Sequence, residues 1–266
     1  MTTAHSAGGS KADEAVLREL KEKLIIGGRI LDMEDLVRPL GHITVRVPGT
    51  ETFLITRGVS PGMATVDDIV VCDMDGKVIE GKYSQTFGEV LGHAGVYRKR
   101  EDIQSVAHTH SWNVMALSMT ETTIVPASFE SIKVAYEPIA LYKRVSFLDN
   151  LDVAEEIADL IGPNRAVILK GHGAIVVGKS IEEAAVSAID LERAAKAQFM
   201  AACAGKLVPF TEKEMEPLVR FLRNIEAQVG TTNPFGRAWE YYKSRLVNYP
   251  AASCGASNSP KNFPPP

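Results

Sequence analysis

The stretch Ser105–Val114, "SVAHTHSWNV", places two of the six histidines of this chain one residue apart at the end of an apolar run. The segment "IQSVAHTH" predicts a buried strand. Residues i and i+2 of a strand point to the same face, so the side chains of His108 and His110 are expected to converge. Imidazole suits zinc and the later first-row metals. This strand therefore predicts a candidate metal site.

The neighbouring segments predict further strands. "GHITVRVPG" (residues 41–49) alternates apolar and polar residues between glycines, as a strand does. "TFLIT" and "DIVVCD" predict two more strands, and "DMDGKVIEG" supplies an Asp-Gly hairpin turn. "NRAVILKGHGAIVVG" predicts a pair of strands around His172. The predicted sheet thus spans a large part of the chain.

Helical periodicity separates these strands. An apolar pattern from Ala12 predicts a helix that ends at Gly27–Gly28. "FGEVLGHAGVYRKR" and "LDVAEEIADLIG" predict two helices, and a long helix with a Ser180 cap follows, then two shorter ones. We find no internal repeat and no linker that would split the core. The pattern predicts a single α/β domain over residues 12–247, with a flexible N-terminus (1–11) and a disordered tail (248–266).

Composition excludes several function classes. The formal net charge is −4, and no basic patch with aromatic residues is present, so neither nucleic acid nor a membrane surface is an expected partner. The N-terminal sequence has no apolar signal-peptide core, and no apolar stretch approaches the length of a membrane span. Cys72, Cys203 and Cys254 are scattered, without metal or disulfide spacing. These features predict a cytoplasmic protein with a small-molecule substrate.

Two further segments extend the candidate site. His172 lies in "KGHGAI", where glycines allow close approach of the backbone. Glu89 and His93 share a helical face at i, i+4. Each motif alone has a plain alternative, because a His-x-His pair is often incidental, Gly-His-Gly is often a turn, and a helix-face pair is often solvated. Three histidines with an open position, however, are typical of a catalytic metal site.

The combination resembles the class II aldolase/adducin family over roughly residues 12–245. The motifs that carry the resemblance are Glu89-Val-Leu-Gly-His93, "GVYRKREDIQSVAHTHS" and "LKGHGAIVVG". The resemblance implies a three-layer α/β/α fold with a mostly antiparallel central sheet. It also implies that His108, His110 and His172 bind a divalent metal, Zn²⁺ or Mn²⁺, with Fe²⁺ or Co²⁺ also possible. Glu89 is implied as the acid/base and as a further metal ligand, whereas His93 is either a second-layer or a packing residue.

The chain departs from the sugar-phosphate members of this family at three loops. His42 replaces an asparagine, Arg57 stands where a small residue is expected, and Phe87 replaces phosphate-binding hydroxyls. "GHITVRVPG", "SPGM" and "WEYY" look more like the aromatic decarboxylase branch. By that resemblance a hydroxylated aromatic carboxylate would lie in an apolar slot beside His42, formed by Phe87 with Trp239 or Tyr241. Arg46 and Arg57 would bind its carboxylates, although each could also be a surface or strand-edge arginine.

The implied reaction is decarboxylation through a metal-stabilised enolate, with Glu89 as proton donor if burial raises its pKa. The alternative is an aldolase or epimerase acting on a sugar phosphate or a hydroxy-keto acid. A non-catalytic adducin-like scaffold is a remote alternative, because all three histidines and the glutamate are retained.

The C-terminal segment "NPFGRAWEYYKSRL" has two interpretations. One is an amphipathic helix that packs Trp239, Tyr242 and Leu246 into the core. The other follows from the resemblance, which implies a homotetramer with sites between subunits, where Tyr241 or Tyr242 completes the site of a neighbouring subunit.

Overall fold

The computed structural model describes residues 14–228 and 230–249. Its centre is one eight-stranded sheet with the order β4-β3-β2-β1-β5-β8-β7-β6. All neighbouring strands are antiparallel except β6 and β7, which are parallel. The strands are β1 (His42–Arg46), β2 (Thr52–Thr56), β3 (Ile69–Asp73), β4 (Val78–Gly81), β5 (Ser105–Thr109), β6 (Leu141–Tyr142), β7 (Ala166–Leu169) and β8 (Gly173–Gly178).

Helices cover both faces of the sheet. They are α1 (Glu14–Met33), α2 (Val90–Lys99), α3 (Trp112–Met119), α4 (Phe129–Val134), α5 (Leu151–Ile161), α6 (Ile181–Ala204), α7 (Glu212–Glu226) and α8 (Pro234–Arg245). Helices α1, α3, α6 and α8 share one apolar core with the sheet, and α2 and α5 share the other. Helices α4 and α7 form a small third cluster.

The two cores follow from the period-two pattern of the strands. In β5, Ala107 lies in the first core and Val106 in the second; in β8, Val176 and Val177 are divided in the same way. Because both faces are covered, the central strands are almost continuously apolar. The predicted three-layer α/β/α fold with a mostly antiparallel sheet is confirmed.

The prediction that the first helix ends at Gly27–Gly28 is wrong, because α1 continues to Met33. These glycines are contact points rather than a stop. A Cβ atom at Gly27 would lie 2.8 Å from Ile181 Cγ2 on α6, and one at Gly28 would lie 3.2 Å from the Cβ of Pro61. Close packing of α1 therefore requires small residues here.

Three predicted features lie outside the residues that the structure describes: the flexible N-terminus (1–11), most of the disordered tail, and Cys254. Leu246–Asn248 forms a 3-10 turn, and the Tyr249 hydroxyl donates a hydrogen bond to Asp32 Oδ2 at 2.8 Å. The described structure therefore continues past residue 247. Among the residues that the structure describes, no helix has both the length and the apolar character needed to cross a membrane.

Candidate metal centre

Three histidines meet where β5 ends beside the β7–β8 turn. His108 lies on β5, His110 directly follows this strand, and His172 lies in the turn. The turn approaches β5 so closely that a Cβ atom on Gly173 would lie 1.8 Å from the carbonyl oxygen of Thr109. Glycine at position 173 therefore allows His172 to reach the paired histidines.

The imidazoles face one another across a small space. Ring centroids are 4.7 Å apart for His108 and His110, 4.8 Å for His108 and His172, and 5.0 Å for His110 and His172. Glu89, at the start of α2, places Oε2 3.3 Å from His108 Nε2 and Oε1 3.4 Å from His172 Nε2. One ligand atom from each of the four residues lies within 4.8 Å of the others. The geometry thus brings together all four predicted ligands.

The donor set fits a divalent cation. His108 Nδ1 is 3.2 Å from the carbonyl oxygen of Ala174, which can only accept a hydrogen bond, so Nδ1 carries a proton. His108 Nε2 faces Glu89 Oε2, and neither this atom nor His110 Nε2 has a hydrogen-bond partner within the usual geometry. Ring nitrogens of this kind around a carboxylate are suitable ligand atoms for a cation, and a backbone carbonyl on the other ring nitrogen is typical of metal-bound histidine.

The electrostatics of Glu89 differ from the prediction. Burial alone would raise the pKa of Glu89, but the adjacent His108 and His172 outweigh this effect and hold it well below its usual range. This direction is opposite to the rise that was expected from burial alone. Burial, followed by the neighbouring His108 and His172, lowers the pKa of His110 to about 4. Neutral imidazoles and an ionised carboxylate are the protonation states that bind metals.

A buried hydrogen-bonded chain leads away from the centre. His42 Nδ1 lies 2.7 Å from His93 Nε2, His93 Nδ1 lies 2.8 Å from Thr44 Oγ1, and Thr44 Oγ1 lies 2.7 Å from the Tyr97 hydroxyl. All four side chains are at most 1 % exposed. His93 is therefore not among the ligand atoms, and it instead contacts His42, whose ring is 5.3 Å from that of His108.

Phe87 and Arg57 lie on loops around the centre. The Phe87 ring is 4.4 Å from the His42 ring, so these two predicted substrate residues form one aromatic wall. The Thr86 hydroxyl donates to the carbonyl oxygen of Thr56 and so ties the Phe87 loop to the end of β2. Arg57 follows this strand and donates from Nε to Asp68 Oδ1 at 2.6 Å.

Arg46, predicted to bind substrate, instead contacts backbone carbonyls away from the histidine cluster. Arg46 lies at the far end of β1 from His42, about 13 Å along the strand at ~3.3 Å per residue. Its guanidinium donates to the backbone carbonyls of Tyr97, Ile103 and Arg100 at 2.6, 3.3 and 3.4 Å. The side chain thus joins β1 to the segment that follows α2.

The C-terminal aromatic residues divide into core and surface. Trp239 and Tyr242 are buried with α1 and α6, so the prediction that Trp239 lines the substrate slot is contradicted within one chain. Burial raises the pKa of Tyr242 to about 12, and its ring lies under the guanidinium of Arg193. Tyr241, by contrast, is 58 % exposed. The helix-packing interpretation holds for Trp239 and Tyr242.

The cationic side chain of Arg38 lies beside the centre, and no sequence pattern indicated this position. Arg38 stacks its guanidinium 3.5 Å above the Trp112 ring, and its charge contributes to the lowered pKa of His110. Its Nη2 atom is buried without a hydrogen-bond partner. The loop places it there because the backbone of His110 donates to the carbonyl of Leu36 at 2.7 Å. Arg38 has a positive φ of 49°, and no sequence motif signals this conformation.

The fold and the cluster of three histidines with one glutamate define a class of α/β/α protein with a candidate metal centre where β5 ends beside the β7–β8 turn. A sequence model described as the class II aldolase and adducin N-terminal domain matches residues 22–199. The chain belongs to this family. Class II aldolases use a divalent metal, and the cluster described above could bind one.

Individual relatives bear different names. The chain is 27 % identical over 187 residues to an L-fuculose phosphate aldolase of Methanococcus maripaludis, covering 68 % of this chain and 97 % of that protein. It is 28 % identical over 198 residues to a 3,4-dihydroxyphthalate decarboxylase of Arthrobacter keyseri, covering 70 % and 79 %. A solved L-fuculose 1-phosphate aldolase from Glaciozyma antarctica has the same fold, with a TM-score of 0.74 at 24 % identity over 93 % of this chain and 94 % of that one.

Proposed function

We propose that this protein is a divalent-metal-dependent lyase that decarboxylates a hydroxylated aromatic carboxylate, of the dihydroxyphthalate type. One observation carries the proposal: the rings of His42 and Phe87, at two of the three positions that differ from the sugar-phosphate members, are 4.4 Å apart, and the His42 ring is 5.3 Å from that of His108. An aromatic wall favours a flat arene and offers no hydroxyl to a phosphate.

Two arginines are available for the carboxylates of such a substrate. Arg38 has a buried Nη2 without a hydrogen-bond partner, and a substrate carboxylate would supply that partner. Arg57 lies on the loop tied to Phe87 and is oriented by Asp68. We assign Arg38 to the carboxylate nearer the histidines, because its charge acts on His110.

A divalent cation held by His108, His110 and His172 would supply a Lewis acid to the substrate oxygens. Glu89, ionised before binding, accepts the proton of the substrate hydroxyl. It then donates this proton to the ring carbon that bears the carboxylate. The carbon–carbon bond breaks, carbon dioxide leaves, and the electron pair of that bond restores the aromatic ring. Water returns a proton to the phenolate oxygen as product leaves.

A second candidate is an aldolase acting on a sugar phosphate. It is favoured by the L-fuculose phosphate aldolase relative, because the alignment with this chain covers 97 % of that protein. The two activities share a metal centre and differ in the walls around it. The presence of His42 and Phe87 is the reason that we place decarboxylation first.

We further propose a homotetramer with sites between subunits. Tyr242 is buried in its own core, whereas Tyr241 is exposed on α8 and free to contact another chain. Tyr241 is therefore the tyrosine that we assign to the site of a neighbouring subunit.

Mass spectrometry of reaction mixtures tests the function. Protein loaded with Zn²⁺ or Mn²⁺ is incubated with ortho-hydroxy aromatic dicarboxylic acids and, in parallel, with ketose phosphates; His172→Ala is the control. We expect loss of carbon dioxide from an aromatic acid and none with His172→Ala. Cleavage of a ketose phosphate with the aromatic acids unchanged would establish the aldolase instead.

A further inference from the structure

His42 Nε2 is a fully buried ring nitrogen without a hydrogen-bond partner. The centroid of the His42 ring lies 4.4 Å from that of Phe87 and 5.3 Å from that of His108. Such an atom is rare, because buried polar groups are nearly always paired. Its position beside the candidate centre points to a partner supplied by a ligand.

The buried chain behind His42 determines which ring nitrogen carries its proton. Thr44 Oγ1 donates to the carbonyl oxygen of Val106 at 3.3 Å, so it is left with lone pairs that accept from the Tyr97 hydroxyl and from His93 Nδ1. Neutral His93 then accepts at Nε2, and the donor across the 2.7 Å contact is His42 Nδ1.

The opposite assignment satisfies fewer groups. If Thr44 donated to His93, the chain would reverse and His42 Nε2 would become a buried N–H without an acceptor. The hydrogen bond from the Thr44 hydroxyl to the Val106 carbonyl would also be lost. Orphaned buried N–H groups are rarer than orphaned acceptors, so the first arrangement is favoured.

We propose that His42 presents an unprotonated Nε2 that accepts a hydrogen bond from a substrate hydroxyl, and that His93 and Thr44 are positioning residues that hold this tautomer. The identity of that hydroxyl as a phenol rests on the proposed function, whereas the tautomer does not. An unprotonated acceptor rejects carboxylate or phosphate oxygens at this point and selects a proton donor.

Nitrogen-15 NMR of histidine-labelled, Zn²⁺-loaded protein tests the tautomer directly, with His42→Asn used to assign the signals. We expect His42 to show a protonated Nδ1 and a pyridine-like Nε2 that is not bound to Zn²⁺. A proton on Nε2, or zinc coordination by it, would overturn the proposal, whatever the reaction is.

Two variants separate positioning from mere packing. His93→Phe removes the acceptor for His42 Nδ1, and we expect the His42 signals to become a mixture of tautomers. Tyr97→Phe removes a buried hydroxyl from the far end of the chain and should leave the His42 tautomer unchanged. Unchanged His42 signals in folded His93→Phe would show that His93 does not position the ring.

Binding of a matched pair of probes tests the acceptor role without turnover. We expect 2,3-dihydroxybenzoate to bind Zn²⁺-loaded protein about tenfold more tightly than 2-hydroxy-3-methoxybenzoate, as one buried hydrogen bond implies. His42→Phe should abolish that difference. Equal affinities in the unmodified protein, or a preference that survives in His42→Phe, would contradict the role assigned to His42.

Discussion

At the scale of single residues, Glu89 combines two properties that a proton carrier needs. It contacts His108 and His172, and these contacts keep it ionised before substrate arrives. In the reaction that we propose, such a carboxylate first accepts a proton and then donates it, whereas the sequence suggested an acid that was protonated from the start.

We expect Glu89→Gln to retain bound metal, because three histidines remain, and to lose turnover by about 10²–10⁴-fold, the usual contribution of a general acid–base group. Metal content and initial rates measured on the same preparation check this. Glu137→Gln makes the same chemical change at an exposed position and should behave as the unmodified protein. An unchanged rate in Glu89→Gln would remove this residue from the mechanism.

Arg38 and Arg46 provide a test of where the substrate carboxylate binds. Arg38→Gln should raise KM for an aromatic dicarboxylate by about ten- to a hundredfold, because a charge-assisted hydrogen bond contributes about 1.5–3 kcal/mol. Arg46→Gln should leave KM unchanged, since its guanidinium is engaged with backbone carbonyls away from the centre. Steady-state kinetics of the two variants shows which arginine binds the substrate carboxylate. The opposite pattern would restore the sequence-based assignment of Arg46.

At the scale of elements, the turn between β7 and β8 determines whether three histidines can meet. β8 pairs with β5 over Ser105–Thr109, and the turn carries His172 back over the end of that strand. Gly173 lies against the Thr109 carbonyl, with no space for a side chain. The metal centre is thus a consequence of strand pairing.

Gly173→Ala should therefore separate the turn from β5. We expect a loss of roughly 1–3 kcal/mol in the free energy of unfolding, as for overpacking, together with weaker metal binding. Urea unfolding and Zn²⁺ titration measure both quantities. Gly171→Ala is the matched control, since its Cβ atom would meet nothing within 4 Å and only a φ of +66° opposes it. Equal zinc affinity in the two folded variants would show that the close approach is not needed.

At the scale of the whole molecule, α8 packs Trp239 and Tyr242 inward and leaves Tyr241 outside. In the tetramer that we propose, Tyr241 is the tyrosine that is available to another copy. The proposed tetramer therefore makes a prediction about mixtures of chains.

Glu89→Gln and Tyr241→Phe should each be impaired alone and should regain activity when refolded or co-expressed together. In a random mixture of subunits, about one quarter of sites would combine an intact Glu89 with an intact Tyr241 from a neighbour. Activity assays across mixing ratios, with sedimentation to confirm tetramers, measure this. Activity that is merely the average of the two variants would place the whole site within one chain.

The sequence by itself determined the features that depend on local periodicity. Alternation in residues 105–110 placed His108 and His110 on one face, and helical spacing with the Ser180 cap defined α6. These two properties follow from the side-chain period alone. Glu89 and His172 were grouped with the paired histidines through the resemblance to a known family, and the structure brings one ligand atom of each within 4.8 Å of the others.

Only the tertiary structure decided which cations face the centre and how its protons are arranged. No sequence motif distinguishes Arg38 from Arg46. Strand register places Arg46 away from the centre, whereas Arg38, which has a positive φ, lies beside it. The tautomer that we propose for His42 depends on His93 and Thr44, which no local pattern links to it. Long-range contacts fix these features, because charge and hydrogen bonding depend on the distances between segments that only folding sets.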